Sequence, residues 1–148
     1  MSTTQLNVVL ADDDEDDRML FVEAIDEISI KTELSLFNHG QELMDYLTLP
    51  NALMPNLIFL DLNMPIKNGL QCLKEIRENP KLKDLCVAIY STSSSEKDIE
   101  ETFLNGANIY VNKPHSFSKL RDVVEKVLQL NWQYHTSNLN KDTFLFRI

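Results

Sequence analysis

Charged and hydroxyl-bearing side chains stand at the ends of four apolar runs of the sequence. They follow LNVVLA, lie within FLDLNMP, and end or follow VAIYS and NIYVN, and they are Asp12, Asp13, Asp61, Ser91, Thr92 and Lys113. In an open parallel α/β sheet, ligands bind at the carboxyl ends of the strands. If the apolar runs are strands of one such sheet, three carboxylates, a hydroxyl group and a lysine converge on a single edge.

This set of side chains predicts a metal-dependent phosphoryl site. Three neighbouring carboxylates cannot all remain charged without a counter-charge, and an all-oxygen cluster suits Mg²⁺, or Mn²⁺ in its place. Lys113 adds a second, compact positive charge. The positive charges of such a site would stabilise the negative equatorial oxygens of a phosphoryl group during its transfer. A carboxylate can attack the phosphorus of that group and become an aspartyl phosphate. Asp61 is the candidate for this attacking carboxylate because it projects alone from the central strand.

The elements that must position these residues alternate along the chain. Strands are predicted at 6–11, 32–37, 57–62, 87–91 and 108–112, and helices at 14–28, 41–49, 68–78, 95–105 and 118–130. The third run is almost wholly apolar, as expected of a strand covered on both faces. The alternation predicts an α/β fold, a doubly wound five-stranded parallel sheet with helices on both faces.

Length and composition narrow the possible functions. The 148-residue chain is expected to form one domain at 1–130, with a C-terminal extension at 131–148 whose role stays open. A formal net charge of −9 argues against nucleic acid and against an anionic membrane surface as direct partners. Without a membrane-length apolar run or a signal-peptide pattern, a cytoplasmic protein is expected. Cys72 and Cys86 form no metal or redox motif, so reduced thiols are expected.

The acidic run DDDEDD at 12–17 divides into two parts. Asp12 and Asp13 belong to the predicted metal site, whereas the four acids after them begin the first helix. Acidic side chains are favoured there by the helix dipole, and Asp14 could cap the helix. Asp17, like the other three, is expected on a solvated face.

Four stretches of the chain resemble the receiver domain of two-component response regulators. They are ADDD (11–14), FLDLNMPIKNG (59–69), YSTS (90–93) and YVNKP (110–114), within a resemblance that spans roughly residues 6–130. The D-x-x-M-P-x-x-x-G element and the K-P dipeptide are specific in combination. The resemblance implies a flavodoxin-like strand order 2-1-3-4-5 and a stand-alone receiver similar to the chemotaxis response regulator.

The resemblance also implies roles at the metal and phosphoryl site. Asp61 would be the phosphoacceptor. Asp13, Asp61 and the backbone carbonyl of Asn63 would bind Mg²⁺ directly, and Asp12 would act through a metal-bound water. Lys113 would pair with the phosphoryl group.

A second group of residues would convert phosphorylation into a change of shape. Ser91 would move inward to donate its hydroxyl group to a phosphoryl oxygen, and Tyr110, the aromatic switch residue, would turn into the space left behind. The implied supporting residues are Met64, Pro65, Gly69, Thr92 and Pro114. The Lys113–Pro114 peptide bond is expected to be cis. The face of the fourth helix, fifth strand and fifth helix would then bind a downstream protein or a second copy.

The function implied by the resemblance is a switch that accepts its phosphoryl group from a histidine kinase or a histidine phosphotransfer protein. It would catalyse only this self-phosphorylation and its own slow dephosphorylation, and would have no separate substrate. A haloacid-dehalogenase-like phosphatase also forms an aspartyl phosphate, but its D-x-D ends the first core strand, whereas D-L-N here ends the third. A flavodoxin-like cofactor binder is disfavoured because the three glycines form no phosphate-cradling loop. A degenerate receiver that serves only as a scaffold is a further alternative, and the intact acid, hydroxyl and lysine set argues against it.

Overall fold

The computed structural model describes residues 5–134 and 145–146, with the side chains of residues 5–130. The elements, in chain order, are β1 (Leu6–Ala11), α1 (Glu15–Glu27), β2 (Thr32–Phe37), α2 (Gly40–Leu47), β3 (Leu57–Leu60), α3 (Gly69–Glu78), β4 (Val87–Ser91), α4 (Glu96–Leu104), β5 (Ile109–Asn112), α5 (Phe117–Tyr134) and β6 (Leu145–Phe146). All ten predicted elements are present, with ends that differ by a few residues.

The strands form one parallel sheet in the order β2-β1-β3-β4-β5-β6. The first five places confirm the predicted order and the doubly wound fold. The two-residue β6 was not predicted; it pairs with the outer edge of β5, with Leu145 opposite Tyr110. The rest of the predicted C-terminal extension beyond Tyr134 lies outside the described residues, so the division at residue 130 stays a prediction.

The sheet separates two apolar cores, one on each face. Neighbouring residues of β3 point to opposite sides, so that Ile58 belongs to one core and Phe59 to the other. Both side chains are fully buried. This double coverage is the physical reason for the continuous apolar run at 57–60, and it places the residue after β3 at the centre of the sheet's carboxyl edge.

Side-chain caps fix the helices that begin at this edge. Asp14 accepts a hydrogen bond from the backbone N–H of Asp17, which confirms the predicted cap of α1. Asn68 forms a reciprocal capping box with Gln71 at the start of α3, and Ser95 caps α4. Each cap determines where a loop of the carboxyl edge ends.

Of the helices that the structure describes, none is both long and apolar enough to cross a bilayer.

Arg77 ties the opposite edge of the sheet together. Its guanidinium donates to the backbone carbonyls of Gly106, Lys83 and Leu85 and to the side-chain oxygen of Asn108. These distances run from 2.6 to 2.9 Å. The planar fork of an arginine can reach several acceptors at once, which a lysine ammonium on a flexible stem does not reproduce.

Arg77→Lys is therefore expected to lower the free energy of unfolding by about 2 kcal/mol, because several carbonyl acceptors lose their charged donor. Urea denaturation followed by circular dichroism measures the change. Arg121→Lys is the matched control, since Arg121 is partly exposed and, within the described part of the chain, pairs with two surface acids, Glu27 and Asp122. Equal effects of the two substitutions would contradict the role assigned to Arg77.

Candidate functional site

The predicted polar residues converge on the carboxyl edge of the sheet. Ala11 of β1 is paired with Leu60 of β3, so the residues that follow them, Asp12 and Asp61, leave adjacent strands side by side. Ser91 is the last residue of β4 and lies at the other end of the site. Its backbone carbonyl accepts a hydrogen bond of 2.8 Å from the backbone N–H of Lys113. Four neighbouring strands thus supply the carboxylates, the hydroxyl group and the ammonium.

The Lys113 ammonium is the positive centre of this site. Its Nζ lies 2.8 Å from Oδ2 of Asp12 and 3.4 Å from Oδ2 of Asp61. A third carboxylate, that of Asp17, lies 2.8 Å from Nζ. Lys113, Asp12 and Asp61 are all buried, and a buried ion pair is stable only when its polar groups are satisfied in this way.

Three carboxylates form a cluster that could hold a cation. Ligand oxygens of Asp12, Asp13 and Asp61 all lie within 4.8 Å of one another. Asp12 and Asp61 are buried, whereas Asp13 is exposed and keeps the cluster open to solvent. Hard oxygen ligands at an open position fit Mg²⁺ or Mn²⁺, which keep several waters in protein sites. The backbone carbonyl of Asn63 stays a predicted further ligand.

The negative charge of the buried carboxylates is unfavourable in this cluster, and a bound cation would compensate it. The pKa of Asp61 is raised from 3.8 to about 7, mainly by burial and in part by the neighbouring Asp12, while the Lys113 charge and the backbone N–H of Asn63 oppose the rise. Burial by itself would lower the pKa of Lys113, but its hydrogen bonds to Asp12 and Asp17, together with the charges of Asp61 and Asp12, raise the pKa above its usual value. The ammonium is therefore firmly charged, whereas the Asp61 carboxylate is only partly compensated.

Ser91 and Tyr110 are linked through the loop that follows β4. The hydroxyl oxygen of Ser91 accepts from the backbone N–H of Ser93 at 3.1 Å. The backbone carbonyl of Ser93 in turn accepts from the hydroxyl group of Tyr110 at 2.8 Å and from the side-chain amide of Asn112 at 2.9 Å. Tyr110 is wholly buried, so the structure shows the inward orientation of the predicted switch, and its outward orientation stays a prediction.

The supporting residues take different positions. Met64, in the loop after β3, is buried in one of the two cores, whereas Pro65 and Thr92 are exposed. The prediction of a cis bond before Pro114 is wrong, because no cis peptide occurs among the described residues. The trans form is the lower-energy isomer of an X–Pro bond by about 0.5–1 kcal/mol, and the backbone after Lys113 accommodates it.

Gly69 lets the first turn of α3 lie directly against the loop that carries the acceptor. Its N–H donates to the carbonyl of Leu62 at 3.0 Å. A Cβ at this position would overlap the backbone carbonyl oxygen of Asp61 and crowd the Cα of Leu62. No flexible side-chain end is involved, so relief requires a shift of the backbone next to Asp61.

Gly69→Ala is expected to destabilise the protein by about 2 kcal/mol through this overlap, although helix propensity alone would favour alanine by about 1 kcal/mol. Thermal unfolding and urea titration measure the sign as well as the size. Lys74→Ala, at an exposed position of the same helix, is the control and should change stability little. A stabilised Gly69→Ala variant would contradict the close approach.

Two contacts of the site were missed by reasoning from the sequence. Asp17 was expected on a solvated face, but it is half-buried and pairs with Lys113. The Arg18 guanidinium donates to the backbone carbonyl of Asp12 at 2.7 Å. Both residues lie in the first turns of α1, and an acidic run at a helix start gives no indication of which member reaches across to another strand.

This edge of the sheet defines a class of protein: a flavodoxin-like domain with a central acid, flanking acids, a hydroxyl group and a lysine is a receiver. The chain belongs to the response regulator receiver domain family, whose sequence profile matches residues 8–125. The recognition made from the four sequence stretches is thereby confirmed. Family membership decides against the haloacid-dehalogenase-like and flavodoxin-like alternatives.

Individual relatives agree with this assignment. The response regulator Rcp1 of Synechocystis sp. is 32% identical over 124 residues, which cover 81% of this chain and 84% of Rcp1. The crystal structure of the phosphorylated cyanobacterial phytochrome response regulator RcpA has a TM-score of 0.81 at 32% identity, covering 92% of this chain and 99% of RcpA. The Mn²⁺-bound form of Rcp1 has a TM-score of 0.77 at 29% identity, covering 91% and 97%.

Proposed function

We propose that this receiver accepts a phosphoryl group on Asp61 from a phosphohistidine donor and thereby switches its binding to other proteins. The observation that carries the proposal is the position of Asp61: a buried carboxylate at the centre of the edge, 3.4 Å from a buried ammonium and grouped with two further acids. An isolated strand-end acid would need neither partner. The donor would be a histidine kinase or a histidine phosphotransfer protein. The receiver would catalyse only its own phosphorylation and its own slow dephosphorylation, with no separate substrate.

The proposed step is a transfer between two nucleophiles. One carboxylate oxygen of Asp61 forms a bond to phosphorus while the bond from phosphorus to the donor imidazole nitrogen breaks, and the imidazole leaves. Lys113 would attract the incoming phosphoryl oxygens through its ammonium. Ser91 would donate its hydroxyl hydrogen to one of them and keep accepting from the N–H of Ser93.

A divalent cation fits the donor set of this site. Asp12, Asp13 and Asp61 supply oxygen atoms close enough to share one ion, and the similar protein Rcp1 has a structure in a Mn²⁺-bound form. Asp13, Asp61 and the Asn63 carbonyl would hold the ion, and Asp12 would act through a water. When bound, Mg²⁺ or Mn²⁺ supplies positive charge that compensates the phosphoryl oxygens.

The test is phosphorylation by a small-molecule donor. Acetyl phosphate with Mg²⁺ should add the mass of one phosphoryl group per chain, with peptide mapping to Asp61, and EDTA should prevent it. A phytochrome-type histidine kinase is a reasonable protein donor to include, since RcpA is a phytochrome response regulator. A chain that stays unmodified with every donor would instead support the degenerate scaffold.

The output face is proposed to be formed by α4, β5 and α5. Tyr110 and Asn112, both on β5, hold the carbonyl of Ser93 just before α4, so a movement of Ser91 would be transmitted to this face. Phosphorylation would shift the population between two arrangements of the loop. Nuclear magnetic resonance with Mg²⁺ and beryllofluoride should move the resonances of Ser91, Ser93 and Tyr110, and unmoved resonances would contradict the switch.

A further inference from the structure

The Asp17 carboxylate contacts the Lys113 ammonium as closely as the buried Asp12 carboxylate does. Nζ lies 2.8 Å from Asp17, the same distance as from Asp12 and shorter than the 3.4 Å to Asp61. An ammonium has three N–H donors, and here all three have carboxylate acceptors. Of the four acids around this edge, Asp17 is the one outside the cluster that could share a cation.

The position of Asp17 is built into the start of α1. Its backbone N–H donates to the capping side chain of Asp14 at 3.1 Å, and Arg18 anchors the same turn to the Asp12 carbonyl at 2.7 Å. The Asp17 side chain is 31% exposed, against 0% for Asp12. A fixed helix turn therefore aims this partly exposed carboxylate at Lys113 from the solvent side.

We propose that Asp17 is a positioning residue that restrains Lys113 away from Asp61 and thereby slows phosphoryl acceptance. The inference rests on the proposed function, because it concerns the rate of that transfer. An incoming phosphoryl group needs the ammonium, and Asp17 competes for it with a charge-assisted hydrogen bond. The Asp17 charge also repels the anionic donor at the open side of the site.

Removal of the charge should release the ammonium without changing the shape of the turn. In Asp17→Asn the side chain keeps its size, but the Lys113 ammonium then donates to a neutral amide oxygen instead of a carboxylate, which is a weaker hydrogen bond. Lys113 then moves toward Asp61. Asp17→Glu retains the charge and should restore most of the restraint, whereas a purely structural role of the turn would be disturbed by the longer side chain.

The experiment compares phosphorylation rates with acetyl phosphate at saturating Mg²⁺, read by intact mass. Asp17→Asn should accelerate acceptance by about tenfold, the scale expected when a hydrogen bond between two charged groups is weakened. Asp16→Asn is the matched control: it removes the same charge from the neighbouring exposed residue and should leave the rate near that of the wild type. Added salt should reduce the difference between Asp17→Asn and the wild type, because screening weakens the partly exposed pair.

A second readout does not depend on phosphoryl chemistry. The ¹H–¹⁵N correlation of the Lys113 ammonium should shift in Asp17→Asn and stay in place in Asp16→Asn and Asp17→Glu. An Asp17→Asn variant that is no faster than Asp16→Asn, or an ammonium resonance that does not move, would overturn the proposal. If the wild type accepts no phosphoryl group, the proposed function is wrong, and so is the effect of Asp17 on the rate of acceptance. A resonance that moves only in Asp17→Asn would still support the restraint on Lys113.

Discussion

Replacing Asp61 by asparagine is expected to abolish phosphoryl incorporation and, at the same time, to stabilise the metal-free protein near neutral pH. The amide has no nucleophilic carboxylate oxygen, so no acyl phosphate can form. The amide also carries no charge into a buried site where burial, with Asp12 adding to it, raises the acid's pKa from 3.8 to about 7. The change should raise the free energy of unfolding by an amount on the order of 2 kcal/mol, given about 1.4 kcal/mol per pKa unit and partial relaxation of the site.

The pH dependence of this stabilisation has a definite sign. Between the unfolded pKa of 3.8 and the folded pKa of about 7, the folded wild type binds more protons at Asp61 than the unfolded chain does. The stability of the wild type therefore falls as pH rises through this window. Asp61→Asn should match the wild type near about pH 4 and exceed it increasingly up to about pH 8.

Urea titrations across this range, with and without Mg²⁺, measure the effect. Mg²⁺ should stabilise the wild type more than the variant, because a ligand that binds only the folded state adds more stability the more tightly it binds, and the variant has lost one carboxylate of the cluster. Asp16→Asn, which removes an exposed charge, controls for net charge and should accept a phosphoryl group normally. Phosphorylation of Asp61→Asn at the wild-type rate would show that another residue is the acceptor.

The fold was predictable because local and global preferences agree along most of the chain. The run at 57–60 is buried on both faces, and Asp14 and Asn68 cap helices where the sequence places polar residues before apolar periodicity. The parallel order then brings the strand ends to one edge, so the grouping of Asp12, Asp61 and Lys113 needed no further information.

The parts that could not be predicted depend on distances across the fold rather than along the chain. The contact between Asp17 and Lys113 joins residues 96 positions apart, and it depends on where the first turn of α1 lies relative to the residue that follows β5. The same holds for Asn112, whose amide reaches the carbonyl of Ser93. The pairing of β6 with β5 involves only two residues, too few to leave a strand pattern in the sequence.

Replacing Lys113 by methionine is expected to destabilise the protein near neutral pH by about 3–5 kcal/mol, because it leaves buried carboxylates without their counter-charge. Methionine keeps most of the length of the side chain, so little volume is lost. Asp12 is fully buried and Asp61 is 6% exposed, and the Lys113 charge now lowers the pKa of Asp61 against the larger effect of burial. Without it, the Asp61 carboxylate should take up a proton at still higher pH.

Two conditions should restore the lost stability if this reasoning is right. Lower pH should do so, since the folded variant binds more protons than the unfolded chain between about pH 4 and neutrality and therefore gains stability as pH falls. Saturating Mg²⁺ should do so by supplying positive charge to the oxygens of Asp12, Asp13 and Asp61.

Thermal unfolding of Lys113→Met over a pH series, with EDTA or Mg²⁺, separates these contributions. Lys119→Met, at an exposed position, removes the same formal charge and should leave both stability and its pH dependence near those of the wild type. Lys113→Arg keeps a positive charge and should retain most of the stability. A Lys113→Met variant that unfolds like the wild type at every pH would mean that the ammonium does not neutralise the carboxylate cluster, and the electrostatic basis of the proposed acceptor site would fall with it.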